Sequence, residues 1–275
     1  MPELPEVETI KRGLKKSLKG KVIEKVTLRR KNLRIPFPPD FTAKLIGKKI
    51  VSIKRRAKYL LIETDKEDCL IIIHLGMSGR LLLKDSYPDK PEKHDHVIIK
   101  FTDGNTLIYN DTRRFGLMTL AEKKNIKSHP LFSELGIEPL PEKFNGKILH
   151  ELIKKKDVPI KNALMDSHLI VGVGNIYACE SLFRSHISPL RKAKSITSKQ
   201  SDLLTKNIKQ VLKEAIASGG SSLRDYVHAS GEMGYFQHKF SVYGREGKNC
   251  PACQGKIKRI KQQGRSTFYC PACQK

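Results

Sequence analysis

The sequence predicts an α+β multidomain fold: an all-β sandwich or barrel with one flanking helix, then a helical domain, then a short segment built around four cysteines. Three observations lead there. Short β-rich runs crowd residues 21–120, helical periodicity takes over beyond residue 147, and four of the six cysteines fall within the last 26 residues.

Taken in order, Pro5 to Lys19 reads as an amphipathic helix, with Val7, Ile10, Leu14 and Leu18 on one stripe, Pro5 in the first turn and Gly20 as the stop. Residues 2 and 3 then lie at its N-terminal mouth. Strands are expected over residues 22–28, 59–63, 70–74, 81–83, 97–101 and 106–109, the last two flanking Asp103-Gly104, a hairpin dipeptide. Residues 120–147 are rich in Lys, Pro and Gly without sustained periodicity and mark a domain edge. Ile148, Leu149, Leu152 and Ile153 next repeat at helical spacing, and residues 203–216 form a longer helix stopped by Gly219-Gly220. Between them, residues 163–183 read as helix, double turn, helix, interrupted at Gly172, Gly174 and Asn175. Asn175 suits a helix cap, and the amides around it suit a phosphate. The segment is no dinucleotide fingerprint, because the third glycine is missing and no suitable strand precedes it.

Composition narrows the partner. The chain has 275 residues with 53 Lys+Arg against 28 Asp+Glu, a formal net charge of +25. A basic excess of this size draws polyanions, because each neutralised phosphate releases counterions. Nucleic acid leads; a ribosomal-type RNA binder, an anionic lipid surface and a merely Lys-rich proteome are the alternatives. Hydrophobic residues at 39% suffice for a core and exclude disorder as the main state. No apolar run approaches the roughly 18 residues of a membrane helix. The acidic opening lacks the pattern of a signal peptide, so a soluble cytoplasmic chain is expected.

Cys250-Pro251-Ala252-Cys253 and Cys270-Pro271-Ala272-Cys273, separated by 16 residues, have the spacing of a four-cysteine zinc site. Two such knuckles complete a closed tetrahedral shell, which makes the ion structural. Redox pairs or disulfides are the rival reading. Residues 245–275 hold eight basic residues against one acidic residue, as expected of a finger laid on a nucleic-acid backbone. Cys69 and Cys179 lie among apolar residues and read as core thiols.

Processing supplies a candidate nucleophile. Removal of Met1 would leave Pro2 as a secondary amine with an ordinary α-amino pKa of about 7.7 to 8. The helix mouth disfavours its protonation, while Glu3, Glu6 and Glu8 favour it. Such an amine attacking a sugar C1′ displaces a base and leaves an iminium, which eases strand cleavage by elimination. Glu3 is near enough in sequence to shuttle protons. A Pro-Glu pair before a helix is also a plain start signal.

Read in order, the opening Pro2-Glu3-Leu4-Pro5-Glu6-Val7-Glu8-Thr9, the strand Arg55-Arg56-Ala57-Lys58-Tyr59-Leu60-Leu61, His74-Leu75-Gly76-Met77-Ser78-Gly79, Arg113-Arg114-Phe115-Gly116, Gly172-Val173-Gly174-Asn175-Ile176-Tyr177 and the cysteine finger closely resemble bacterial formamidopyrimidine-DNA glycosylases over nearly the whole chain. The resemblance implies an N-terminal β-sandwich catalytic domain (1–130), a linker (131–147), a helix-two-turn-helix DNA-binding domain (148–238) and a C-terminal four-cysteine zinc finger (239–275). It implies a monomer that binds double-stranded DNA in the cleft between domains, excises oxidised purines and nicks the strand by β,δ-elimination, with one structural Zn2+ as cofactor. Carried over by position, the nucleophile falls on Pro2, the proton donor for base release on Glu3, the strand-cleavage lysine on Lys58 and the hairpin arginine on Arg265. Residues that replace an extruded base fall on Met77, Arg113 and Phe115, and phosphate contacts on His94, Lys156, Asn175 and Arg265. Metal ligands fall on Cys250, Cys253, Cys270 and Cys273. Residues 221–236 match a loop over the extruded base. Asp111-Thr112 departs from the Asp-Pro common in the family, from which a less rigid loop is expected.

Two other functions compete. Endonuclease VIII, the sister enzyme, acts on oxidised pyrimidines; Leu4 rather than glycine and the Arg113/Phe115 pair favour purines. A non-catalytic zinc-ribbon protein explains the charge and the cysteines but leaves the Pro2-Glu3 and Lys58 matches as accidents.

Overall fold

A computed structural model describes residues 2–220 and 236–275, which form two compact units: 2–133 with 219–220, and 134–218 with 236–275. In the first unit α1 (Leu4–Leu18) buries the predicted stripe of Val7, Ile10, Leu14 and Leu18. Then follow β1 (Ile23–Leu28), the short α2 (Phe41–Leu45), β2 (Ile50–Arg56), β3 (Tyr59–Thr64), β4 (Leu70–His74), β5 (Gly79–Lys84), β6 (Asp95–Phe101), β7 (Thr106–Asp111) and β8 (Leu117–Ala121). Among the described residues these strands form two antiparallel sheets, ordered β1-β6-β7-β5 and β2-β3-β4-β8. Val97, Ile99, Phe101 and Leu107 of one sheet share a core with Ile53, Leu60, Ile62, Ile71 and Ile73 of the other and with the α1 stripe. The architecture is therefore a sandwich rather than a closed barrel.

Two strands go beyond the expected set. β2 ends in Lys54-Arg55-Arg56 and is polar by composition, and β8 spans only five residues. Both are strands because neighbouring strands supply their ladder bonds, which local propensity does not record.

In the second unit α3 (Gly146–Ile153), α4 (Ile160–Met165), α5 (Asn175–Arg184) and α6 (Ser198–Ala217) pack around Leu149, Leu164, Tyr177, Leu182, Ile208 and Leu212. Asn145 caps α3 by accepting from the Ile148 amide at 3.0 Å, and Thr197 with Gln200 closes a capping box on α6. The hairpin β9 (Lys258–Gln262) and β10 (Arg265–Tyr269) carries the cysteines at its base. Cys179 and Phe183 of α5 join Val242, Ile257 and Phe268 in a third apolar cluster. Both Cys69 and Cys179 are buried, as core thiols should be. Among the described residues no helix is long and apolar enough to cross a membrane.

Candidate functional site

The first unit presents the mouth of α1. Glu3 is its N-cap, 3% exposed, and its amide donates to Glu6 Oε2 at 2.9 Å within a capping box. Pro2 is buried beside it. The run 55–61 is not one strand: Arg56 pairs with Tyr59, so Ala57 and Lys58 form the two-residue turn of the β2–β3 hairpin. Ala57 takes φ +52°, which an L side chain adopts at a cost. Arg55 offsets that cost by donating to the Ala57 carbonyl at 2.9 Å while its Nε bonds Glu8 of α1 at 3.1 Å. Burial alone would raise the Glu8 carboxyl, but the bonds from Lys11 and Arg55 hold it below its ordinary value. One ion pair thus ties the half-buried Lys58 turn to the helix that carries Pro2 and Glu3.

Met77 and Phe115 stand 39% and 45% exposed on two loops, where burial is the rule for such side chains. The Arg113 guanidinium lies 4.5 Å from the centroid of the Phe115 ring, a cation–π stack. Thr112 lacks proline's constraint, yet this loop is held by hydrogen bonds: the Arg113 amide donates to Ser78 Oγ at 3.1 Å and the Gly116 amide to Asp111 Oδ2 at 2.9 Å. The expected loss of rigidity is thereby countered. His94 is half-buried, and its carbonyl accepts from the Asp111 amide at 3.0 Å.

The second unit gathers a different set. Gly174, not Asn175, caps α5; Asn175 is the first helical residue, and its Nδ2 donates to the Ser266 carbonyl of the hairpin at 2.8 Å. The cap expected at Asn175 is corrected because extended backbone ends one residue earlier. Lys156 and Arg265 are both exposed and line one groove of about 420 Å3 between α4 and the hairpin. Lys161, on the same groove, did not stand out in sequence. It is 1% exposed, with its Nζ 2.7 Å from Thr267 Oγ1. Only the Ile160-Lys161 alternation next to the lysine run could have signalled it.

The four cysteine sulfurs lie within 4.8 Å of one another, with Cys250–Cys273 at 3.8 Å and Cys253–Cys270 at 3.5 Å. Ligands about 2.3 Å from a tetrahedral ion stand roughly 3.8 Å apart, so the cluster fits a metal. Of the expected loop over residues 221–236, residues 221–235 lie outside the described residues; its last residue, Phe236, is buried against Tyr177, 5.9 Å between ring centroids.

Comparison with known proteins places this geometry. Residues 1–118 match the formamidopyrimidine-DNA glycosylase N-terminal domain, 135–227 its H2TH domain, and 247–275 the zinc finger found in FPG and IleRS. The formamidopyrimidine-DNA glycosylase of Roseobacter denitrificans is 48% identical over 285 residues and that of Bartonella bacilliformis 49% over 292, each covering all of both chains. The crystal structure of MutM (Fpg) from Thermus thermophilus, 37% identical, aligns with a TM-score of 0.89 over 99% of this chain and 98% of that one. Lactococcus lactis Fpg in complex with DNA containing an abasic site, 36% identical, aligns with a TM-score of 0.90 over 99% of both. With its whole length and all three of its parts accounted for in this way, the chain belongs to the formamidopyrimidine-DNA glycosylase family.

Proposed function

We propose that this chain is a bifunctional DNA glycosylase and abasic-site lyase that removes oxidised purines, 8-oxoguanine and formamidopyrimidines, from duplex DNA and then nicks the strand. It works as a monomer in the cytoplasm, on the nucleoid, through the division 1–130, 131–147, 148–238 and 239–275. The observation that carries the reading is the buried Pro2-Glu3 pair at the mouth of α1, tied through Glu8 and Arg55 to the turn bearing Lys58.

Once Met1 is removed, the Pro2 nitrogen attacks C1′ and the glycosidic bond breaks. Glu3 delivers a proton to the departing base. The proline nitrogen gives up its proton, the C1′–O4′ bond then opens with a proton taken up by O4′, and the iminium so formed acidifies C2′; loss of a C2′ proton expels the 3′ phosphate, and a second elimination expels the 5′ phosphate. Lys58, a cation at a hairpin turn, assists proton transfer in the eliminations. Met77, Arg113 and Phe115 fill the space of the extruded nucleotide, as a thioether, a planar cation and a ring suit that task. Phosphates are held by His94 in the first unit and by Lys156, Asn175 and Arg265 in the second, where a guanidinium can grip two oxygens at once. Cys250, Cys253, Cys270 and Cys273 would hold one Zn2+, which would fix the base of the hairpin.

Purified protein is expected to nick duplex DNA carrying 8-oxoguanine opposite cytosine, leaving phosphates on both sides of a one-nucleotide gap. Borohydride is expected to trap a covalent adduct at Pro2, and Glu3→Gln to spare nicking at an abasic site more than base excision. Faster cleavage at an oxidised pyrimidine would instead favour endonuclease VIII chemistry. Binding without scission, or an adduct on another residue, would refute the proposal.

A further inference from the structure

The loop bearing Met77 and the loop bearing Arg113 and Phe115 converge on one buried side chain. Asp111, 0% exposed, ends β7. Its Oδ1 accepts from the Ser78 hydroxyl at 2.6 Å and the Arg113 amide at 3.2 Å, and its Oδ2 from the Gly116 amide at 2.9 Å and the Tyr109 phenol at 3.2 Å. All four partners donate, so two acceptor oxygens are required; a carboxamide would turn its NH2 against one pair. Burial, reinforced by the Asp111 charge, keeps the Tyr109 phenol protonated well above its ordinary range, as a donor must be. The backbone of Asp111 is pinned as well. Its amide donates to the His94 carbonyl at 3.0 Å, and its carbonyl lies 2.8 Å from His96 Nε2.

The two loops also meet backbone to backbone. A Cβ on Gly76, at φ +62°, would stand 2.4 Å from the Phe115 carbonyl carbon and 2.5 Å from the Gly116 nitrogen, and one on Gly116 would stand 2.6 Å from the His74 carbonyl oxygen, just before the Met77 loop. Side chains cannot enter this seam, so its two sides are held by the bonds that cross it: the Arg113 amide donates to Ser78 Oγ at 3.1 Å, and the Asp111 carboxylate accepts from both of these groups and from Gly116.

We propose that Asp111 is a positioning residue for base extrusion, locking the Met77 loop to the Arg113–Phe115 loop so that the three exposed side chains enter the duplex as one body. The proposal rests on the reading that these side chains replace the extruded nucleotide. Two independent loops would each lose freedom on insertion; loops joined beforehand have already lost it. Thr112 makes the device necessary, since the backbone there has no ring to restrain it.

The test compares single-turnover excision of 8-oxoguanine opposite cytosine with nicking of the same duplex carrying a preformed abasic site, which has no base to extrude. A 2-aminopurine beside the lesion reports unstacking before any bond breaks. Asp111→Asn is expected to slow both unstacking and excision on the order of 10- to 100-fold, the cost of misplacing a positioned group, while abasic nicking stays close to wild type. Ser78→Ala is expected to give the same pattern more weakly, and decides the matter if Asp111→Asn does not fold. Equal losses on the two duplexes, or wild-type unstacking in the variants, would overturn the proposal. A wild-type chain inert on both duplexes would overturn the functional reading itself, and is distinguishable because no variant is needed to see it.

Discussion

At the scale of single residues, environment decides chemistry that residue type leaves open. His74 closes β4 with its ring 4.7 Å from that of Tyr59, and its Nδ1 accepts the Gly76 amide at 3.0 Å. Burial first, and then the charges of Arg34 and Lys58, push its pKa down to about 4. The ring is therefore neutral at physiological pH, with its proton on Nε2. The unfolded chain titrates this group near 6.5. Between that value and about 4 the unfolded state binds a proton that the fold refuses. Stability is full above the upper value and falls as pH drops through the window. An imidazole NMR titration should show a midpoint near 4, and the pH dependence of stability in this range should flatten in His74→Gln; a midpoint near the ordinary value would contradict the burial argument. None of this was legible in sequence, where His74 is one letter of a motif.

At the scale of elements, the hairpin is docked rather than tethered. Lys161 reaches Thr267, Asn175 reaches the Ser266 carbonyl, and Gln262 Nε2 donates to the Pro189 carbonyl at 3.2 Å. The Glu180 carboxylate of α5 accepts the amides of Ser241, Val242 and Tyr243 at 2.8 to 2.9 Å, fixing the chain that enters the finger. Thr267→Val keeps the shape and removes one acceptor from a buried ammonium, a loss of about 1–3 kcal/mol. Denaturant unfolding should register that loss, and DNA affinity should fall with it; an unchanged midpoint would show that Lys161 is satisfied without Thr267. Cysteine spacing made the finger legible, because metal ligation is local in sequence. Its docking was not, because the partners lie from 61 residues apart, as Glu180 and Ser241 do, to 106, as Lys161 and Thr267 do.

At the scale of the whole molecule, the net charge of +25 sets how binding responds to salt. The logarithm of DNA affinity should fall linearly with the logarithm of salt concentration, and Arg265→Ala should lower the slope by about one, as for each phosphate contact removed. A slope unchanged in that variant would place Arg265 off the backbone. Neutralising an exposed lysine that does not line the groove, such as Lys66, should change the slope less.

The chain by itself determined the order of its parts, the α1 stripe, most strands of the sandwich and the cysteine knuckles, because these are recorded in local periodicity and spacing, while the candidate residues from Pro2 to Arg265 came from motifs shared with a family. Tertiary structure alone decided that residues 55–61 turn at Ala57-Lys58, that Gly174 rather than Asn175 caps α5, and that Asp111 joins two loops about thirty-five positions apart at Ser78 and Arg113. Such choices depend on which donors and acceptors are left without water when distant segments pack. A buried polar group must find its partner wherever the fold brings one, and no local pattern of residues names it.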